Sequence, residues 1–416
     1  MSEKISKAQY SPGLFDITQD IIGGLPIKLI EHWLESAQTH DVAVQLLTPY
    51  QVTGYSVSSD STGLTRLTKQ KGLLEILVLI NQPKEIVYGI GMAIGGEGVG
   101  IWAADNTQMF YPASISADTL LSALLTMEDE ISKNCQISIG IGAHYGEFYY
   151  ISGGLYGLEA DTIEAVAEND TEGGEIVISQ AICSRLPANN SFQLTKRSDL
   201  LTPIGDIFRV LDGNRLAQVP GINKNYPIPY SDSFYADLVE YENRLNDTAF
   251  CQALSAKYIA HKFVVLIERE SKAAESHEVG IFTNLSISAM MKDIGMRLLP
   301  QSHGMEIKVI SLLGIYTFDS ANAALEFGKA FRAELAKEDI ACRIGIDGGA
   351  ALVFDLSVGG KDIAGMPVNV ASKMAQDKGE FGKLYLSYGM REYVNVSGFR
   401  EISYTVSGVE MIVYEG

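Results

Sequence analysis

The feature that most constrains the fold is an internal echo. Ile344-Gly345-Ile346 repeats Ile139-Gly140-Ile141, Gly365 repeats Gly157, and Lys383-Leu384-Tyr385-Leu386-Ser387 repeats Glu175-Ile176-Val177-Ile178-Ser179, at offsets of 205, 208 and 208 residues. A nearly constant offset over a whole domain length is the mark of a duplication, and each copy must then bury a core of its own. With 416 residues and 46% hydrophobic content, the chain is large enough for two cores. The expected division is an N-terminal helical segment over 1–43, a first domain over 44–212, a helical connector over 213–257 and a second domain over 258–416. The connector begins with Pro220, Pro227 and Pro229 and continues as a helical pattern from Phe234 to Leu254.

Hydrophobic spacing predicts the elements of the first copy. A strand runs over Val52–Val57, a helix from Thr62 to about Ile80, hairpin strands near Ile86–Ile94 and Val99–Ala103, and a helix over Ser116–Asn134. There follow a β-rich stretch over Ile137–Ile141, a helix over Asp161–Glu168, a turn at Gly173-Gly174 into the strand ending at Ser179, and a closing strand over Gly205–Leu211. Ahead of these, Leu29, Ile30, Trp33 and Leu34 share one face of an amphipathic helix over Ile27–Ala37. The apolar run from Ile86 to Ala104 holds Glu97 and several glycines and leads into Asp105, so it reads as a hairpin and not a membrane span.

A net charge of −19 with no Lys/Arg run opposes binding to nucleic acid or to anionic lipid. Cys135, Cys183, Cys251 and Cys342 lie far apart without metal-ligand spacing, which suits a reducing compartment. The N-terminus has no apolar signal region, so a cytoplasmic location is expected. His32, His40 and His144 have no partner at a recognisable spacing.

The alternation of Val52–Val57 ends at a carboxylate, Asp60, followed by Ser61-Thr62-Gly63-Leu64-Thr65. Two chemistries fit such a strand-turn-helix junction. Asp60 can cap the new helix, or it can hold a divalent cation beside a phosphate that rests on the first N–H groups of that helix.

Asp60-Ser61-Thr62-Gly63-Leu64-Thr65 resembles the first metal motif of the class III adenylate/guanylate cyclases, Asp-aliphatic-x-Gly-Phe-Thr, and Asp105 stands where that family has its second metal aspartate. In the second copy, Asp362-Ile363-Ala364-Gly365-Met366-Pro367-Val368-Asn369-Val370-Ala371-Ser372-Lys373 resembles the family's Gly-x-x-Val-Asn-x-Ala-x-Arg motif, with Lys373 in the arginine position. The copies have diverged in opposite ways. The second has Ile267-Glu268-Arg269 at the first metal position and Leu312 at the other. The first has Asp161, Ala165 and Ile101 where the second has Asn369, Lys373 and Lys308.

The resemblance implies an α+β, ferredoxin-like cyclase fold in each copy, with the two homologous domains forming an intramolecular pseudo-dimer, one composite active site and one degenerate cleft. It implies two Mg²⁺ or Mn²⁺ ions held by Asp60, Ser61 and Asp105, ATP as the ligand, and substrate contacts from Lys308, Asp362, Gly63, Leu64 and Thr65. Asn369 and Lys373 take the catalytic positions. The implied activity is conversion of ATP to cyclic AMP and pyrophosphate. The alternative is a catalytically silent homologue that binds a nucleotide or a protein and regulates. No nucleic-acid or membrane partner is expected, and the degenerate cleft is left for a regulatory protein or small ligand. The arginine that the family uses for phosphate in the Ile137–Ile141 strand is expected at Ser138 and is missing, and a basic residue near Val406–Met411 is missing too.

Overall fold

A computed structural model describes residues 27–416 except 63–66, 68–70, 101, 103–105, 152, 220–229, 311, 358, 378 and 407–408. In chain order the elements are α1 (Ile27–Glu35), α2 (His40–Leu47), β1 (Gln51–Ser61), α3 (Leu73–Ala93), β2 (Glu97–Gly98), β3 (Thr107–Pro112), α4 (Ala117–Asn134), β4 (Ile139–Ile151), β5 (Gly154–Tyr156), α5 (Leu158–Asn169), β6 (Ile176–Ser179), α6 (Gln180–Cys183), β7 (Gln193–Lys196) and β8 (Ile207–Asp212). They continue with α7 (Asp232–Asn243), α8 (Thr248–Tyr258), β9 (Ile259–Arg269), α9 (His277–Ser302), β10 (Met305–Ile310), β11 (Leu313–Phe318), α10 (Ala321–Lys337), β12 (Cys342–Asp355), β13 (Lys361–Ala364), α11 (Met366–Ser372), β14 (Leu384–Ser387), β15 (Arg400–Val406) and β16 (Val409–Glu415). These elements fall into two compact units, one holding 27–40 and 230–416, the other the described part of 41–229.

Each unit is built on an eight-stranded sheet, and the two sheets have the same strand order. The first runs β2-β3-β1-β4-β6-β8-β7 with β5 on β4, the second β10-β11-β9-β12-β14-β16-β15 with β13 on β12. In the first unit, α3 and α4 cover one sheet face, where Ile90, Leu124 and Met127 pack on Tyr55, Val57 and Ile141. In the second, α9 and α10 do the same, with Met291, Phe327 and Phe331 on Val265, Ile267 and Ile344. A shorter helix lies on the opposite face of each sheet. In the first it is α5, through Ile163 and Val166 on Val177; in the second it is α11, through Ala371 on a cluster with Val264 and Leu266. The duplication is thus a repeat of topology as well as of sequence.

Strand pairing corrects the alignment of the copies. β4 meets β6 with Ile141 beside Ile176, whereas β12 meets β14 with Ile344 beside Leu384. Because Leu384 repeats Ile176, the counterpart of Ile344 is Ile141 and not Ile139. The reason is the period of a strand: Ile139-Gly140-Ile141-Gly142 repeats every two residues, so a slip of two leaves every side chain on its own face and cannot be seen in the pattern. The counterpart of Arg343 is therefore Gly140, and the position assigned to Ser138 moves to Gly140.

A second correction concerns Ile86–Ile94, expected as a strand and found as the C-terminal half of α3. This helix buries residues around most of its circumference, from Leu74 and Ile76 through Val78, Ile80 and Val87 to Ile90. Continuous burial erases the 3.6-residue periodicity that would announce a helix. Pro83 inside it and Gly89 and Gly91 near its end further imitate a strand boundary. The strand expected at Val99–Ala103 lies partly outside the described residues; β2 ends at Gly98, and Val99 N donates to Gln108 O at 2.8 Å.

Candidate functional site

In the second unit, β13 turns back on β12 so that Asp362 stands opposite Phe354. Its carboxylate is 3% exposed, and such burial is tolerated only with partners. Oδ1 accepts from the backbone N–H of Ile363 at 2.8 Å and lies 2.8 Å from Nζ of Lys308, which reaches over from β10. Removing either member would strand a buried charge, at a cost of about 3–5 kcal/mol. The pair is well apart in sequence, and the sheet brings it together.

Immediately after β13 the chain enters α11 through Gly365, whose φ of 144° favours glycine over residues with a Cβ. The helix then lies so close to the sheet that a Cβ on Gly345 would come within 2.1 Å of the Ala371 carbonyl oxygen. Pro367, Ala371, Met374 and Ala375 are buried against β12 and its neighbours. On helical spacing, Asn369 and Lys373 share the opposite face, and both are half-buried. At Lys373 the helix widens into a π turn over Lys373–Asp377, an irregularity often found at functional sites.

The first unit carries the complementary set. Asp60 is the penultimate residue of β1 and not a helix cap, which corrects the expectation of a turn there. It faces the α5 side of the sheet, opposite Gly140, and is partly exposed. The Ser61 side chain points to the other face, where its buried Oγ has no hydrogen-bond partner among the described residues, so the backbone carbonyl is the part of Ser61 that can join Asp60 at a cation. Gly63, Leu64, Thr65, Ile101 and Asp105 lie outside the described residues. Asp60 offers a hard oxygen donor, the type Mg²⁺ and Mn²⁺ take when substrate phosphates complete their shell, so the residue fits such an ion. Among the described residues no cluster of three or more His, Cys, Asp or Glu side chains forms a self-sufficient metal site. Asp161 and Ala165 are exposed on α5, at the positions where α11 has Asn369 and Lys373.

Sequence reasoning missed two clusters. The corrected register pairs Asp60–Gly140 in the first unit with Glu268–Arg343 in the second. Arg343 Nε donates to Glu268 Oε2 at 2.7 Å, and its Nη1 to Gly379 O at 2.9 Å. The next residue, Arg269, is fully buried and donates to the carbonyls of Glu270 and Asn284; burial pushes its guanidinium down to about 10. The second miss is His144. Its Nδ1 lies 2.8 Å from Ser179 Oγ and its Nε2 3.3 Å from Glu159 Oε2, and the imidazole beside it holds Glu159 below its usual carboxylate value despite partial burial. Its counterpart, Asp347, accepts a hydrogen bond from Ser387, the repeat of Ser179, and burial raises its carboxyl. The signal for both was the register, which the two-residue ambiguity concealed.

No family model matches the sequence, and no curated protein matches it. Among solved structures, the chain is similar to a class III adenylyl cyclase-like ATP-binding protein from Pseudomonas aeruginosa, at 10% identity and a TM-score of 0.54 over 83% of this chain and 86% of that one. It is also similar to the adenylyl cyclase CyaB from P. aeruginosa, at 16% identity and a TM-score of 0.34 over 40% of this chain and 96% of that one. A third similar structure is an adenylate/guanylate cyclase/hydrolase from Silicibacter pomeroyi, at 19% identity and a TM-score of 0.30 over 38% and 96%. The chain has the mixed α+β fold of that class III adenylyl cyclase-like structure, with the same sheet order in each of its two units. Among the described residues, no helix is long and apolar enough to cross a membrane.

Proposed function

We propose that the protein binds ATP at one composite site and converts it to cyclic AMP and pyrophosphate. The observation that carries this reading is the Lys308–Asp362 pair, an almost buried donor–acceptor couple beside a half-buried Asn and Lys on α11. Adenine presents an acceptor at N1 and a donor at the 6-amino group. Lys308 Nζ serves the first and Asp362 Oδ2 the second, whereas guanine offers the reverse pattern. Asn369 holds the ribose by hydrogen bonds, and Lys373 places positive charge on the transferring phosphoryl group. Asp60, with Asp105, holds Mg²⁺ or Mn²⁺, which when bound lowers the pKa of the ribose 3′-hydroxyl and neutralises the phosphates. The 3′-oxygen then attacks the α-phosphorus as pyrophosphate leaves. This reading requires Asp60 and Asp105 to act on the same ATP as Lys308, Asp362, Asn369 and Lys373.

A second reading, ATP binding without turnover, is favoured by the phosphate side of the site. The first unit has Gly140 where the second has Arg343, and α11 carries Lys373 in place of arginine. A lysine neutralises charge but lacks the planar two-pronged donor geometry of a guanidinium. The similar P. aeruginosa structure, described as an ATP-binding protein, agrees with this reading.

The deciding experiment measures cyclic AMP formation with Mn²⁺ and ATP alongside calorimetric ATP and GTP binding. The enzyme reading expects product and a preference for ATP that Lys308→Ala and Asp362→Asn reduce. ATP binding without product selects the second reading, and no nucleotide binding removes both.

A further inference from the structure

We infer that Arg343 is a resident cation: it occupies, in the second unit, the electrostatic role that a divalent ion plays at Asp60 in the first, and it masks Glu268 as a metal ligand. The inference rests on reading Asp60 as a metal ligand and adds a rule for where metal does and does not bind.

The argument begins with register. β1 and β9 have the same burial sequence over their last seven residues, five buried positions, one half-buried and one buried. The half-buried position is Asp60 in β1 and Glu268 in β9, and the residue across from it on the neighbouring strand is Gly140 in one case and Arg343 in the other. The second domain has therefore kept a carboxylate at this place while losing the aspartate. A carboxylate side chain only 14% exposed needs a counter-charge. Where the first unit has a glycine over which the Thr171 side chain packs, the second has a guanidinium at 2.7 Å with its own side chain 18% exposed. The cation is also anchored from the other side. Arg343 Nη1 donates to Gly379 O just beyond the π turn, and its guanidinium carbon lies 4.8 Å from the centre of the Phe381 ring. A group held by three neighbours does not swing aside for a weakly bound ion.

Arg269 strengthens the contrast. It replaces Ser61, and it fixes the end of β9 to Asn284 of α9. Two arginines thus hold the end of β9 in the second unit, at positions where the first has Gly140 and Ser61. The second unit also lacks the other metal carboxylate, with Leu312 in that place. Unmasking Glu268 would accordingly create a weak site, since a single carboxylate supplies few of the oxygen ligands a divalent ion takes.

The test counts Mn²⁺ by electron paramagnetic resonance and follows the melting temperature of the full chain. Wild type and Glu268→Gln are expected to bind the same number of Mn²⁺ ions, and Arg343→Met, which keeps the aliphatic stem over Phe381, to bind one more. Added Mn²⁺ should raise the melting temperature of Arg343→Met beyond its effect on wild type, and Arg343→Met/Glu268→Gln should lose both gains. Arg343→Lys, which retains a cation, should gain no ion. Loss of an ion in Glu268→Gln alone would overturn the inference, because Glu268 would then bind metal despite Arg343; this arm does not depend on Arg343→Met folding. A folded Arg343→Met whose Mn²⁺ count and melting-temperature response stay equal to those of wild type across the titration would overturn it as well. Repeating the series with Asp60→Asn separates the two readings. If wild type binds no ion at Asp60, the reading of Asp60 fails there, while a count rising from none to one in Arg343→Met still upholds the role of Arg343.

Discussion

At the scale of the residue, Lys373 distinguishes a slow enzyme from a silent binder. If phosphoryl alignment limits turnover, Lys373→Arg restores paired donors and raises the rate of cyclic AMP formation about 10-fold, equivalent to about 1.4 kcal/mol of transition-state stabilisation. On the proposed reading ATP affinity should change much less, since the base contacts and the metal would hold the ground state. Equal rates in wild type, Lys373→Arg and Lys373→Ala would remove Lys373 from the chemistry. The partner of His144 gives a pH prediction of known sign. Glu159 has its folded value lowered by the His144 imidazole beside it, so its contribution to stability is present above the ordinary carboxylate range and is lost as pH falls through the lowered value. Glu159→Gln should therefore be less stable than wild type toward urea at pH 7, and the gap should close on acidification toward pH 3. A gap that widened would show that the carboxylate is destabilising in the fold.

At the scale of the element, the approach of α11 to β12 sets where Asn369 and Lys373 stand. A methyl group at Gly345 meets the backbone of Ala371 and not a movable side chain, so Gly345→Ala must push the helix or the strand. We expect a loss of about 1–3 kcal/mol by urea unfolding, with ATP affinity falling more than in Lys373→Ala. The equivalent approach in the first unit is looser: a Cβ on Gly142 would lie 3.1 Å from Ile163 O, and Gly142→Ala should cost less. A reversed order would mean that the two helices sit on their sheets for different reasons. The stretch from Asp362 to Lys373 stood out in the sequence through the motif it carries and through Gly365 repeating Gly157, while its hairpin and helix were not read from local spacing. Asp60 was legible as a residue but not as part of a strand, because polar Ser58, Ser59 and Ser61 hide the last turns of the alternation. Glu268–Arg343 was illegible, since it is made by pairing between strands whose Ile-Gly repeat admits two registers. α3 failed for the opposite reason, having too many buried faces to show any period.

At the scale of the whole molecule, two sheets of identical strand order with separate cores should melt as two cooperative units and not as one. The N-terminal helix provides the test of which residues belong to which unit. α1 precedes the first domain in the chain, yet Trp33 is 1% exposed and stacks on Phe282 of α9 with ring centres 4.5 Å apart and an interplanar angle of 13°. His40, at the end of this stretch, lies 2.8 Å from Ser276 and 3.5 Å from Glu278 at the start of the same helix. Sequence order assigned 1–43 to a segment of its own, because an amphipathic pattern reveals that a face is buried but not against what. Trp33→Ala removes a large buried ring, a change that costs about 3–5 kcal/mol where the surroundings cannot collapse. In differential scanning calorimetry it should lower the transition of the unit containing 230–416 and leave the other in place. The two transitions can be assigned independently with Phe331→Leu, in the core under α10, and Leu124→Ala, in the core under α4. If Trp33→Ala moves the transition marked by Leu124→Ala, α1 belongs to the first domain. If it moves the one marked by Phe331→Leu, the second domain is completed by residues that the chain supplies more than two hundred positions earlier.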